Sequence, residues 1–183
     1  MKKVLLNSLL AVALIVGISS CSKDPLVVPY DLGTKGPMCI PASPAVYGLS
    51  SYEYTVTKAQ IEAALTAANI SDPWSRLEEV KVEGLKVEVA ASSGATNLND
   101  IEGAQVYAKN VGTAGKGTQI AYSPTITSGS AVVELSLNGS DIKELVKAGD
   151  IVITVDATTK APGNANAICL NLTSGKLAMK IKQ

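Results

Sequence analysis

Leu77-Glu78-Glu79-Val80-Lys81-Val82-Glu83-Gly84-Leu85-Lys86-Val87-Glu88-Val89-Ala90 reads as one long strand with a fault in the middle. Apolar residues alternate with charged ones, the period-two pattern of a strand with one face in a core and the other in water. The phase then slips: Val80 and Val82 hold even positions, Leu85, Val87 and Val89 odd ones, and Gly84 sits at the slip. Because a one-residue slip turns every later side chain to the other face, a β-bulge or a sharp bend at Gly84 must keep both apolar sets facing inward. Glu79, Glu83 and Glu88 then cover a solvated sheet face.

The same reading extends along the chain. Tyr52, Tyr54 and Val56 alternate with Glu53, Thr55 and Thr57 as a half-buried strand. Thr57-Lys58-Ala59-Gln60 has the spacing of a capping box, and Ile61, Ala64, Leu65 and Ala68 lie on one helical stripe that Asp72-Pro73 closes. Further strands are expected at 101–109, 118–123 and 131–137, with a second helix over 140–148 that buries Ile142, Leu145 and Val146 and stops at Gly149. Ile151, Ile153 and Val155 mark another strand. Ile168, Leu170 and Leu172 are expected to pair with Leu177, Met179 and Ile181 as a hairpin across Thr173-Ser174-Gly175-Lys176. The sum is a mainly β fold, an immunoglobulin-like β-sandwich of about eight strands with two short crossover helices, over residues 46–183. Setting Tyr52 against Val133 also aligns two strand–helix units without a gap, Ile61 meeting Ile142 and Leu65 meeting Val146. Either the units are a pseudo-symmetric pair whose helices each cross between sheets, or two amphipathic helices each follow a strand.

Upstream the composition changes. Five of the eight prolines (Pro25, Pro29, Pro37, Pro41, Pro44) fall in residues 21–45 with Gly33 and Gly36, which predicts a semi-rigid tether. Before it, Met1-Lys2-Lys3 is basic and Val4 to Ile18 is mostly apolar, too short a run to span a bilayer but the right length for a secretory signal over residues 1–20. Of the 183 residues, 16 are basic and 16 acidic; without Lys2 and Lys3 the balance is two charges negative. With one arginine (Arg76) and no basic cluster, nucleic acid is not an expected partner.

The end of the signal, Ile18-Ser19-Ser20-Cys21, resembles the lipobox of bacterial lipoproteins. The resemblance implies cleavage before Cys21, diacylglycerol on its sulfur and acylation of the new amino group. Each buried methylene contributes about 0.8 kcal/mol, so two or three acyl chains make a lasting membrane anchor. Ser22 resembles an outer-membrane address, and Ser22-Lys23-Asp24 is similar in part to the surface-export signals of Bacteroidetes lipoproteins; the periplasmic and surface faces both stay open. The stretches 77–83, 101–107 and 140–146 resemble a Bacteroidetes lipoprotein domain with an immunoglobulin-like or late-embryogenesis-abundant-type sandwich. That resemblance implies a fold and an envelope location and brings no chemistry with it.

Candidate chemistry is sparse. Histidine is absent, which removes the usual base near neutral pH and the usual zinc ligand; no cysteine pair has zinc spacing, and residues 97–100 do not form a calcium loop. No metal and no cofactor are expected. Serine catalysis lacks a base, and two carboxylates acting as a glycosidase are the sole enzymatic option left by the composition. The chain is therefore read as a non-enzyme. With Cys21 acylated, Cys39 and Cys169 remain, either as a disulfide that closes a long loop or as two free thiols. Trp74, after Asp72-Pro73, is the candidate stacking platform for a sugar, or else a plug at the end of the sandwich.

The expected function is thus that of a non-catalytic, outer-membrane-anchored β-sandwich lipoprotein that serves as an interaction or structural module. Its partners would be the membrane, through the lipid, and an envelope protein or glycan through loops 91–100, 110–117 and 159–167. One alternative is a glycan-binding accessory lipoprotein, in which Trp74→Ala abolishes polysaccharide retention. Another is a pilus or adhesin-type subunit, which needs a removable strand.

Overall fold

In the computed structural model, residues 24–43, 50–160 and 165–183 are described; the signal segment, Cys21, both ends of the expected tether and residues 161–164 of the expected loop 159–167 lie outside them. Among the described residues there are twelve strands and three helices in the order β1 (Leu26–Asp31), β2 (Lys35–Ile40), β3 (Ser50–Val56), α1 (Lys58–Ala67), α2 (Pro73–Arg76), β4 (Leu77–Glu83), β5 (Lys86–Val89), β6 (Ile101–Asn110), β7 (Thr118–Tyr122), β8 (Val132–Glu134), β9 (Ser136–Leu137), α3 (Lys143–Ala148), β10 (Ile151–Thr159), β11 (Ile168–Thr173) and β12 (Lys176–Ile181). They form three antiparallel sheets, ordered β1-β12-β4, β2-β11-β5-β8 and β3-β10-β6-β7-β9. The mainly β sandwich expected from the alternation is the observed fold.

The first two sheets are one sheet bent at a corner. Across the bend the register carries through: β12 sets Lys176 opposite Glu83, and three residues further along each strand β11 sets Thr173 opposite Lys86. On the other side, Lys176 faces Asp31 and Leu172 faces Lys35, with the Leu32 amide donating to the Gly175 carbonyl between them at 2.9 Å. Each of the three chain segments takes left-handed φ at the corner, at Gly33 (67°), Gly84 (67°) and Ser174 (59°). Gly84 suits its place doubly, since a Cβ there would stand 2.9 Å from the Ser174 carbonyl oxygen.

Three expectations are corrected here. Residues 168–181 are not a hairpin: β11 and β12 never pair with each other but continue one another through the corner. The left-handed residue that a turn would need serves a bend instead, and the spacing from Leu172 to Leu177 is the same parity slip as that from Val82 to Leu85. Much of the expected tether is also strand, since β1 pairs with β12 and β2 with β11. Both are edge strands, where Pro29 and Pro37 need donate nothing to a ladder. Finally, only one of the two expected helices crosses between sheets: α1, followed by α2, leads from β3 to β4, whereas α3 leads from β9 back to β10 in the same sheet.

The layers meet over one hydrophobic cluster. Met38, Val87 and Leu170 of the four-stranded sheet and Tyr52 and Val155 of the five-stranded sheet line the same narrow gap. Beyond the corner the helices fill in, α1 against β1 and α3 against both β4 and β6. Helix α1 begins with a full capping box, in which the Thr57 hydroxyl accepts from the Gln60 amide and the Gln60 side chain from the Thr57 amide. It buries Ile61 and Leu65 completely, each contributing about 1.5–3 kcal/mol. Helix α3 is held to β4 by Asp141, whose carboxylate accepts from the Val80 amide at 2.9 Å while the Ile142 amide donates to the Val80 carbonyl at 2.9 Å. No helix among the described residues is long and apolar enough to cross a membrane.

Candidate functional site: the outer face of the five-stranded sheet

Strand β10 lies inside its sheet and is covered on both faces. Ile151, Ile153, Val155 and Ala157 point into the core, so Val152, Thr154 and Asp156 point the other way. The register lines up Ser51, Asp156, Gln105 and Tyr122 across four strands, and Glu53, Thr154 and Tyr107 in the next row. This outer face is a polar network. Asp156 is only 2% exposed, yet both its oxygens have partners: Ser51 Oγ donates to Oδ1 at 2.5 Å and Lys116 Nζ to Oδ2 at 2.9 Å. A buried carboxylate demands such partners, because unpaired it would cost far more than it returns.

Lys116 comes from the glycine-rich β6–β7 connection, residues 111–117, which folds back over the face. Its ammonium lies 5.3 Å from the centre of the Tyr107 ring. The hydrogen bond to Asp156, reinforced by that carboxylate's charge, raises its pKa above the ordinary lysine value. A second lysine fastens the same loop: Lys109 Nζ donates to the Gly115 carbonyl at 3.1 Å and pairs with Glu53 at 3.3 Å. Glu53 in turn accepts from the Thr154 hydroxyl at 3.2 Å, and the Tyr107 hydroxyl donates to Gln105.

Beside this network lies an open cleft of about 290 Å³ lined by Glu102, Gly103, Gln105, Tyr122, Ser123, Asp156 and Thr158 among others. Gly103 forms its floor, and the ring of Tyr122, 45% exposed, stands at its side. None of these residues stood out in the sequence. The signals available were the one acid within the uncharged run of β10 and a glycine inside the strand pattern of β6.

The residues singled out from sequence sit elsewhere. Cys39 and Cys169 are joined by a disulfide, directly opposite each other on β2 and β11 and 130 residues apart in sequence. Cys169 faces away from Ile168 and Leu170 and is buried; its amide donates to Ser93 Oγ at 3.1 Å, while Cys39 is exposed. The bridge pins the edge strand to the sheet. Trp74, on α2, packs against the hydrophobic core, and the Lys58 ammonium lies 4.9 Å from its ring centre, held there by the Lys147 carbonyl at 2.8 Å. The ring is half-buried, packed against the core with the lysine beside it. The disulfide belongs to the four-stranded sheet, and the structure brings neither Trp74 nor the cysteines into the cleft. Among the described residues no group of three or more His, Cys, Asp or Glu is gathered to hold a metal ion.

No family model matches the chain, and no curated protein matches it. Among solved structures, a chain from the structure of Cocksfoot mottle virus is similar over 90% of this chain and 88% of that one, at 12% identity and a TM-score of 0.28. So low a TM-score carries no argument.

Proposed function

We propose that this protein is a non-catalytic, lipid-anchored module of the bacterial outer membrane that binds its partner through the outer face of the five-stranded sheet. The signal-like segment and the lipobox-like Ile18-Ser19-Ser20-Cys21 support the anchor. The observation that carries the binding face is the buried Asp156 with its Lys116 and Ser51 partners. A sheet needing only to face water has no use for a buried ion pair, whereas one that must hold a loop and a cleft in fixed positions does. The same pairing speaks against catalysis. Both oxygens of Asp156 hold Ser51 and Lys116, so its carboxylate positions the loop rather than standing free beside Glu102 as a second acid.

The pilus-type alternative loses support, because the Cys39–Cys169 bond holds the N-terminal edge strand in place. A glycan-binding role gains a specific feature in the cleft and is developed below.

The test has two arms. Labelling cells with radioactive palmitate should mark the wild-type protein and not Cys21→Ala. Pull-downs from native envelope extract should then retain the same partner on the acylated protein and on Cys21→Ala, and lose it on Tyr122→Ala and Lys116→Ala. Retention indifferent to both face variants would overturn the assignment of the face.

A further inference from the structure

We infer that the cleft over Gly103 is a binding site for a neutral saccharide, an inference that rests on the outer face being the binding face. A sugar ring presents apolar C–H faces and a rim of hydroxyls, so its site needs an exposed aromatic surface next to fixed hydrogen-bonding groups. The cleft supplies both. Tyr122 offers the exposed ring, and Gln105, Glu102 and Thr158 offer an amide, a carboxylate and a hydroxyl along one side. At about 290 Å³ the space lies at the low end of small-ligand sites, which run from roughly 300 Å³ upward, and suits one ring of a longer chain lying across the open face.

The charge pattern selects the neutral class. The charged residues lining the cleft are Glu102 and Asp156, and the Lys116 ammonium beside it is paired with Asp156. An anionic sugar would meet Glu102 with no cation in the cleft lining to offset it, whereas neutral hydroxyls can donate to the same carboxylate.

Gly103 stands at the register shift opposite Thr158 and Thr159, a place where strands use glycine, and it also leaves the space beside Ser123 open. It lies inside β6, where glycine weakens a strand by roughly 0.5–1 kcal/mol, and its φ is not in the left-handed region that would call for glycine. A Cβ there would project to 3.2 Å from Ser123 Oγ, at the floor of the cleft. The missing side chain keeps the floor open and lets a ligand approach the backbone.

The experiment is native electrophoresis of the full chain in mild detergent, through gels cast with yeast mannan, soluble starch or xylan. At least one polysaccharide should retard the protein twofold or more against a gel without it. Tyr122→Ala should abolish that retardation, and Gly103→Val, which fills the floor, should do the same. Trp74→Ala should leave it unchanged. Trp74 is the lone tryptophan, so an unaltered emission spectrum certifies that the Tyr122 and Gly103 variants are folded. No retardation by any of the three polysaccharides, or retardation untouched by Tyr122→Ala, would overturn the proposal. If Tyr122→Ala loses an envelope partner in the pull-down while no polysaccharide binds, the face stands and the saccharide falls. If neither experiment responds to Tyr122, the face itself is wrong.

Discussion

Tyr54 packs against the core from β3 with its phenol oxygen buried and without a hydrogen-bond partner. Leaving such a group unsatisfied costs about 1–3 kcal/mol, so Tyr54→Phe, which removes the oxygen and keeps the ring, should raise stability by about 1 kcal/mol in thermal denaturation. Burial also pushes the phenol far above the usual tyrosine range. A folded-state pKa above the unfolded one means that the stability it governs is complete below the ordinary tyrosine range and is lost as pH rises from there toward the folded value. Tyr54→Phe should therefore lose less stability than wild type on raising the pH past that range. At the cleft, Asp156→Asn keeps an acceptor for Ser51 but gives up the charge that holds Lys116. The expected result is an unchanged fold with faster tryptic cleavage after Lys116. Because the pairing raises the Lys116 pKa, on the alkaline side the loop should stay bound until the pH passes the ordinary lysine value.

Among the elements, the corner is the most informative. The phase slip in 77–90 was legible as a bend at Gly84, and the bend is there, with Val82 and Leu85 both buried on its two sides. Gly84→Ala should cost about 1–2 kcal/mol or more, from left-handed strain and the approach to the Ser174 carbonyl, read as a lower urea midpoint at unchanged m. The partner strand carried the same slip between Leu172 and Leu177, but Ser174-Gly175 is also good turn chemistry, and local sequence does not distinguish a turn that reverses the chain from one that bends it. Only the long-range register, with Lys176 on Glu83 and Thr173 on Lys86, shows that the two segments run on together. Pro29 and Pro37 misled in a similar way. A proline is a breaker inside a sheet and harmless at its edge, and edge position is a property of the assembled sheet.

For the whole molecule, the Cys39–Cys169 bond joins β2, near the start of the described chain, to β11, near its end, across 130 residues. In the chain-entropy view it should contribute about 4–5 kcal/mol, so Cys39→Ser with Cys169→Ser should lower the unfolding free energy by that amount. Mass spectrometry without reductant should find no free thiol at either position. The alternation of apolar and polar residues decided the mainly β class, and the helix stripes, with the capping box of α1, decided α1 and α3, because both signals are local and repeat within a few residues. The expected address of the chain is equally local, written in a basic start, an apolar run and a cysteine. The sheet order, the shared corner and the cleft were decided by tertiary structure alone. Ser51, Gln105, Tyr122 and Asp156 are scattered over more than a hundred positions, and they meet in one row because three separate strand registers place them there. A pattern with period two assigns each residue to a face, but it carries no information about which strand lies beside it.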